Sequence, residues 1–135
     1  MATRRVLLID DEDDIRAVAT VSLDKLGGWE VVAAGSGMEG LAKAETTRPD
    51  AILLDVMMPD IDGPATVKKL QANPVTKDIP IILLTAKIQA ADRRRFQELG
   101  IAGLIAKPFD PLDLPHQVAD YLGWEADAVT PVSDR

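Results

Sequence analysis

The sequence predicts an α/β fold in which a five-stranded parallel sheet carries helices on both of its faces. Apolar runs of four to six residues alternate along the chain with segments of helical periodicity. Turn-forming or charged residues bound each run, which is typical of strands buried on both faces. Because a strand–helix–strand unit must cross over to rejoin its sheet, strict alternation makes the strands parallel.

The predicted strands share β-branched or leucine-rich composition and short length. They are residues 6–9, 29–33, 51–54, 79–84 and 103–106. Each is followed by one helix.

The first helix is predicted from apolar or small residues that recur every three to four positions. They are Ile15, Val18, Ala19, Ser22, Leu23 and Leu26. Such spacing forms one stripe on a helix, and Gly27-Gly28 should end it, since glycine adopts the left-handed conformation without steric cost.

The second helix should begin at a capping box formed by Ser36 and Glu39, each covering an orphan N–H of the other. Its predicted apolar face is Met38, Leu41 and Ala42.

The last three helices are delimited by glycine and proline. The third follows Gly63-Pro64 with Val67 and Leu70 inward, and the fourth ends near residue 99, before Gly100. The fifth begins near Asp113, so that Pro115 lies in its first turn, and ends near residue 122.

Composition narrows the class of protein. The 135 residues suit one domain, and the absence of cysteine excludes disulfides and thiolate metal sites. A net charge of −7 argues against direct nucleic-acid binding, and we interpret the short cationic clusters at 4–5 and 93–95 as solvated. The apolar runs are far shorter than the ~20 residues of a membrane span. Because only four apolar residues follow Arg5, we expect no signal peptide. We therefore expect a cytoplasmic protein without membrane insertion.

Chemistry-bearing side chains follow four of the predicted strands, at the edge where parallel α/β sheets place their functional crevice. Asp10, Asp11 and Glu12 follow the first strand, Asp55 the third, Thr85 and Ala86 the fourth, and Lys107 the fifth. Clustered carboxylates repel one another, and oxygen-only ligands select a hard cation such as Mg²⁺. The single histidine, His116, is remote in sequence, so zinc and copper are disfavoured. This edge of the sheet would carry a carboxylate, an ammonium, a hydroxyl and a backbone N–H. Such a combination suits phosphoryl transfer to an aspartate.

Four segments carry a family resemblance, each at a predicted strand end. Residues 8–12 (LIDDE), 53–60 (LLDVMMPD), 83–86 (LLTA) and 106–109 (AKPF) resemble the signature blocks of response-regulator receiver domains, the CheY-like family. The resemblance spans about residues 4–123. It implies a flavodoxin-like, doubly wound (βα)5 fold with strand order 2-1-3-4-5. We accordingly predict a receiver domain over residues 1–124 and a short tail over 125–135.

The resemblance also implies roles for individual residues. Asp55 matches the phosphoryl acceptor, Asp11 the direct Mg²⁺ ligand and Asp10 its partner acid. Met57 matches the position whose backbone carbonyl binds the metal, and it flanks the site together with Lys87 at positions that tune the lifetime of the phosphate. The remaining assignments are the switch hydroxyl at Thr85, phosphate contacts from Ala86 and Lys107, and a cis peptide bond before Pro108.

Leu104 departs from the family pattern. It lies three residues before Lys107, where many receivers carry the Tyr or Phe that turns inward with the threonine. The usual threonine–aromatic coupling is therefore in doubt, and the face formed by helix 4, strand 5 and helix 5 should signal through backbone shifts.

The predicted function is a switch that accepts phosphate from a sensor histidine kinase or a phosphotransfer protein and signals to a downstream protein, the identity of which stays open. It would catalyse only its own phosphorylation and dephosphorylation. A haloacid-dehalogenase-type phosphatase is disfavoured because Met57 stands where that family has its acid. A degenerate receiver that only binds a partner stays open, and an acidic first loop disfavours a flavin protein. We interpret Asp60, Asp62 and Glu12 as loop, cap and helix-start residues rather than ligands.

Overall fold

The computed structural model describes residues 3–86 and 90–124, with side chains throughout except at residues 90–92. The predicted tail 125–135 and Lys87 lie outside the described residues. The residues of these two ranges form a five-stranded parallel sheet in the order β2-β1-β3-β4-β5, as predicted. No helix in the described ranges is long and apolar enough to cross a bilayer.

The strands lie close to their predicted positions. They are β1 Arg5–Ile9, β2 Glu30–Ala34, β3 Ala51–Asp55, β4 Ile81–Thr85 and β5 Gly103–Ala106. β4 begins two residues later than predicted, because the N–H of Ile79 donates into the preceding turn, to Thr76 O, and Pro80 has no N–H. β2 pairs only with β1 and is partly exposed, so the prediction of burial on both faces is wrong for this edge strand.

Five α-helices in the described part of the chain cover the sheet. They are α1 Asp13–Val21, α2 Gly37–Thr47, α3 Gly63–Ala72, α4 Ala90–Gln97 and α5 Leu114–Leu122. Residues of α1 and α5 share one buried cluster with the sheet, and residues of α2, α3 and α4 share the other. The sheet is therefore doubly wound, with both of its faces in the core.

The predicted apolar stripe of the first helix is only partly correct. Ala19, Ser22 and Leu23 are buried, but Val18 is 44% exposed. The segment Ser22–Leu26 continues α1 as a π-helix, in which the N–H of Gly27 donates to Ser22 O at 3.2 Å. Val18 precedes Ala19 by one residue, about a quarter of a helical turn, and this places it at the solvent edge of the stripe.

The buried face of α2 is also different from the predicted one. Met38 is 59% exposed and Ala42 is exposed, while Gly37, Gly40 and Ala44 are buried. An ideal Cβ on Gly40 would lie 2.4 Å from Ile9 Cδ1, so the helix approaches β1 more closely than a larger residue permits.

Only one of the two predicted hydrogen bonds of the capping box at α2 forms. Ser36 Oγ accepts from the N–H of Glu39 at 3.1 Å, as predicted. The Glu39 carboxylate, however, accepts from the N–H of Gly35 at 2.8 Å instead of from Ser36. This bond, with the neighbouring Lys43, lowers the pKa of Glu39.

The other helices lie close to their predicted boundaries, although α4 ends at Gln97, two residues before its predicted end. Val67 and Leu70 of α3 are buried. Gly100, shortly after α4, has a φ of +77°, a left-handed value that suits glycine. Asp113 is the N-cap of α5, and Pro115 lies in its first turn.

Candidate functional site

Three carboxylates converge at the carboxyl ends of β1 and β3. Ile9 and Leu54 are paired in the register of these strands, so Asp10 and Asp55 follow as neighbours one residue further on. One oxygen from each of Asp10, Asp11 and Asp55 lies within 4.8 Å of the others. Asp10 and Asp55 are buried, and Asp11 is half-buried. The predicted acids therefore form one cluster.

Lys107 supplies the positive charge that faces this cluster. Its Nζ lies 3.1 Å from Asp10 Oδ2, 3.4 Å from Asp55 Oδ2 and 2.9 Å from Glu12 Oε1, and its side chain is only 10% exposed. Burying these carboxylates without a cation would be very costly. Lys107 thus occupies the position of a counterion to the acidic cluster.

The contact between Glu12 and Lys107 was missed by the sequence reasoning. Glu12 precedes α1 as its N-cap, as expected of a helix-start residue, and it makes no side-chain capping bond. Its carboxylate turns instead to the lysine and remains 56% exposed. The one available signal was that Glu12 follows two acids of the cluster, Asp10 and Asp11, and this pattern equally fits a favourable charge at a helix N-terminus.

The electrostatics of the cluster shift two ionisable groups. Burial, and then the charge of Asp10, raises the pKa of Asp55 to about 6, against the opposing effects of Lys107 and the N–H of Met57. Burial lowers the pKa of Lys107, but its hydrogen bonds to Glu12 and Asp10 outweigh this and bring the net pKa above its ordinary value. The lysine is therefore charged, and ionisation of the Asp55 carboxyl is less favourable in the folded protein than in water.

The other strand ends complete a cleft of about 530 Å³. Thr85 is buried at the end of β4, and its carbonyl accepts from the N–H of Lys107 at 2.9 Å. The peptide bond between Lys107 and Pro108 is cis, as predicted. The cleft is lined by Asp11, Glu12, Ile15, Asp55, Met57, Ala86, Lys107 and Pro108.

The donor set fits a hard divalent cation. The clustered ligand atoms are carboxylate oxygens, which Mg²⁺ prefers over nitrogen or sulfur donors. Met57 adjoins the cluster through its backbone: its N–H lies 3.3 Å from Asp55 Oδ1, and its side chain is 73% exposed. His116 is half-buried on α5 and does not line the cleft.

Leu104 lies outside the cleft, on β5. It is buried in the cluster that includes Leu83 and Phe96, and its carbonyl accepts a hydrogen bond from the Tyr121 hydroxyl at 2.8 Å. An aromatic side chain of α5 therefore contacts the backbone of the position where many receivers carry their aromatic switch residue.

Asp60 and Asp62 are not part of the acidic cluster. Asp62 is the N-cap of α3 and accepts from the N–H of Ala65 at 2.8 Å, as predicted. Asp60 contacts the N-terminus of α2.

A parallel α/β sheet with an acidic cluster and a lysine at its carboxyl edge is the arrangement that the sequence resemblance implies for a receiver domain. Residues 6–119 match the family model for the response regulator receiver domain. The chain belongs to this family and is a receiver domain of two-component signalling.

Curated relatives are longer than this chain. The alkaline phosphatase synthesis transcriptional regulatory protein PhoP of Bacillus subtilis is 37% identical over 115 residues, which is 85% of this chain and 47% of the relative. The DNA-binding dual master transcriptional regulator RpaA of Synechocystis is 36% identical over 78% of this chain and 44% of the relative. The chain therefore spans about half the length of these relatives.

Solved structures match over nearly their full length. The chemotaxis protein CheY4 of Vibrio cholerae has a TM-score of 0.83 and 33% identity, covering 89% of this chain and 99% of that one. The receiver domain of sensor histidine kinase PA1611 from Pseudomonas aeruginosa has a TM-score of 0.79 and 30% identity over 90% of this chain and 99% of its own, with magnesium coordinated in its active-site cleft.

Proposed function

We propose that this receiver is a phosphoacceptor switch in which Asp55 takes a phosphoryl group from a histidine kinase or a phosphotransfer protein. The observation that carries the proposal is the position of Asp55. Its buried carboxylate lies between an oxygen cluster suited to Mg²⁺ and the ammonium of Lys107, at the wall of an open cleft. This arrangement leaves a nucleophilic oxygen accessible while its surroundings can neutralise an incoming phosphate.

Asp10, Asp11, Asp55 and the carbonyl of Met57 would hold the metal. When bound, Mg²⁺ would neutralise charge on the phosphoryl oxygens. A carboxylate oxygen of Asp55 would form the new bond to phosphorus as the bond from phosphorus to the donor nitrogen breaks, and the electron pair would stay on the donor imidazole. Lys107, the Thr85 hydroxyl and the Ala86 N–H would contact the phosphoryl oxygens.

Phosphorylation would redistribute the contacts of Lys107. The phosphoryl group adds about −1.5 to −2 charge at neutral pH, and Lys107 now divides its hydrogen bonds between Asp10 and Glu12. A stronger anion on Asp55 would draw the lysine away from them. Thr85 and Lys107 are joined through their backbones, so movement of one strand end would be shared by the other.

We further propose that output passes to a protein partner through the face formed by α4, β5 and α5. Tyr121 joins α5 to β5 through Leu104 O, so a shift in β5 would reach the surface without a buried aromatic ring. The net charge of −7 favours a protein partner over nucleic acid for this domain. The switch would operate in the cytoplasm, with its phosphodonor.

Turnover of external substrates is not part of the proposal. An aspartyl phosphatase needs a general acid near its nucleophile. The residue two positions after Asp55 is Met57, whose thioether cannot donate a proton.

The test is intact-mass measurement after incubation with Mg²⁺ and acetyl phosphate. The wild-type protein should gain one phosphoryl group, and the gain should disappear in Asp55→Asn and in EDTA. Asp62→Asn is the matched control, since it removes a carboxylate from the loop after β3 but outside the cluster, and it should still be phosphorylated.

A wild-type protein that gains no mass is then tested with beryllofluoride. A tight Mg²⁺-dependent complex would support a switch with a short-lived phosphate. No complex, with Mg²⁺ still bound, would contradict the proposal and favour a receiver that serves only as a binding module.

A further inference from the structure

The loop between β3 and α3, residues 56–62, contacts helix α2 through Asp60. Asp60 Oδ1 accepts from the N–H of Gly37 at 3.1 Å, and Oδ2 accepts from the N–H of Met38 at 2.9 Å. Ser36, the N-cap of α2, covers the next N–H, that of Glu39. Asp60 therefore satisfies two first-turn donors of a helix to which it does not belong.

Charge and shape both favour this contact. A carboxylate at a helix N-terminus is stabilised by the helix dipole, and the N–H of Met38 is the largest of the influences that lower the pKa of Asp60. Beside it, Ile61 packs on the backbone of Gly37, where an ideal Cβ would lie 2.2 Å from Ile61 Cγ2. Two successive loop residues thus rest on the first turn of α2.

The same loop leads directly to the acidic cluster. It leaves β3 at Asp55, and Met57 donates its N–H to Asp55 Oδ1. Met58 is buried in the core, whereas the Met57 side chain is 73% exposed and contributes no buried anchor. Between β3 and α3, the backbone on the N-terminal side of Met57 is held by Val56, whose N–H donates to Leu84 O and whose carbonyl accepts from the N–H of Gly63. On the C-terminal side it is held by buried Met58 and by the docking of Asp60.

We infer that Asp60 is a positioning residue for the metal site, which holds the loop, and with it the Met57 carbonyl, in place by capping α2 from outside. The inference rests on the proposed function, because it takes that carbonyl as a Mg²⁺ ligand. A ligand held in place before binding loses less freedom when the metal arrives, so its support raises affinity.

The experiment measures Mg²⁺ affinity by calorimetric titration and stability by urea unfolding for the wild type, Asp60→Ala and Ser36→Ala. Both substitutions remove capping bonds from α2 and should lower the urea midpoint. Only Asp60→Ala releases the loop, so it should weaken Mg²⁺ binding about threefold to tenfold, less than a direct partner of the ligands would. Ser36→Ala should bind Mg²⁺ as the wild type does.

Two further readouts separate positioning from general stability. Asp60→Asn keeps one acceptor oxygen and should recover part of the lost affinity. In ¹H–¹⁵N spectra, the amide signals of Gly37 and Met38 should shift on Mg²⁺ addition in the wild type and stop responding in Asp60→Ala.

Wild-type Mg²⁺ affinity in Asp60→Ala would overturn the inference and leave the proposed function intact. Equal weakening in Ser36→Ala would also overturn it, since loss of helix stability would then suffice. A wild-type protein that binds no Mg²⁺ would instead contradict the proposed function itself, and the role of Asp60 with it.

Discussion

At the scale of residues, the site carries more negative than positive charge, and Lys107 is the cation that contacts its carboxylates. Asp10 and Asp55 are buried side chains at the ends of adjacent strands, and Lys107 contacts both. Asp11 and Glu12 add negative charge at the rim. The site is therefore suited to accept additional positive charge, and the charged form of Asp55 is unfavourable until that charge arrives.

The raised pKa of Asp55 predicts a pH-dependent stability. Its folded-state pKa of about 6 exceeds the ordinary 3.8, so the folded state binds more protons between these values. Asp55 therefore contributes full stability below about pH 4, and that contribution is lost as the pH rises through 6.

Asp55→Asn should consequently be more stable than the wild type in EDTA at pH 8, by about 1–3 kcal/mol, and the advantage should shrink towards pH 4. Urea unfolding of both proteins across this range measures the difference. A variant that is less stable than the wild type at pH 8 would contradict the raised pKa.

The contact between Glu12 and Lys107 should weaken the binding of an anion at the site. Its exposed carboxylate holds Lys107 at 2.9 Å, and this contact must weaken when the lysine turns to a phosphoryl group. Glu12→Gln should therefore raise the affinity for beryllofluoride about twofold to fivefold, the size expected for a partly exposed ion pair. Titration at fixed Mg²⁺ measures it, with the exposed Asp14→Asn on α1 as the control for lost charge. Equal or weaker binding in Glu12→Gln would show that the ion pair does not compete with the anion.

At the scale of elements, the parallel sheet explains how much of the site could be predicted. Because the strands share one direction, residues that follow β1, β3, β4 and β5 must meet at one edge. Asp10, Asp11, Asp55 and Lys107 were predicted together for that reason, and the structure brings them together. The contacts of Glu12 and Asp60 were not predicted. The contact of Glu12 depends on the rotamer of an exposed N-cap residue, and those of Asp60 join residues 22 and 23 positions apart. Neither leaves a periodic pattern in the sequence.

The helix faces were predicted less well than the strands. The pattern of large apolar residues placed Met38 inward on α2, whereas the helix packs through Gly37, Gly40 and Ala44. Periodicity weighs side-chain hydrophobicity and does not register how closely two backbones approach. Small residues that permit close packing therefore do not mark the buried face of a helix in a periodicity pattern.

Because α2 packs closely on β1, we expect replacement of Gly40 by alanine to destabilise the protein instead of stabilising it. In a helix interior, glycine to alanine normally stabilises by about 0.5–1 kcal/mol. At Gly40 the new methyl would meet Ile9, so Gly40→Ala should destabilise by about 1–3 kcal/mol. Adding Ile9→Val removes Cδ1, the nearest contact, and should recover part of the loss in urea unfolding. Additive effects of the two substitutions would contradict the packing described.

At the scale of the whole molecule, we expect the folding of the domain to be coupled to the binding of a cation. Helices cover both faces of the sheet and the cleft lies at its carboxyl edge, so the ends of the core strands carry the site. A cation that binds only the folded cluster must stabilise the entire domain. The chain spans about half of its curated relatives, so this coupling concerns the receiver portion.

Mg²⁺ should therefore raise the free energy of unfolding by about 2.7 kcal/mol when it is present at 100 times its dissociation constant. Asp11→Asn removes one clustered carboxylate that is only half-buried, and it should abolish most of this gain without destabilising the metal-free protein severely. Thermal unfolding with and without Mg²⁺ measures both effects. An equal Mg²⁺-dependent gain in Asp11→Asn would place the ion elsewhere.

Asp55 itself should carry the phosphoryl group, and chemical trapping can locate that group on the chain. The protein is incubated with Mg²⁺ and acetyl phosphate, reduced with borohydride, which converts an aspartyl phosphate to homoserine, and mapped by peptide mass spectrometry. We expect homoserine at residue 55 and at no other aspartate, with none when EDTA is present. Homoserine at Asp10 or Asp11, or unmodified Asp55 in protein that has gained a phosphoryl group, would contradict it.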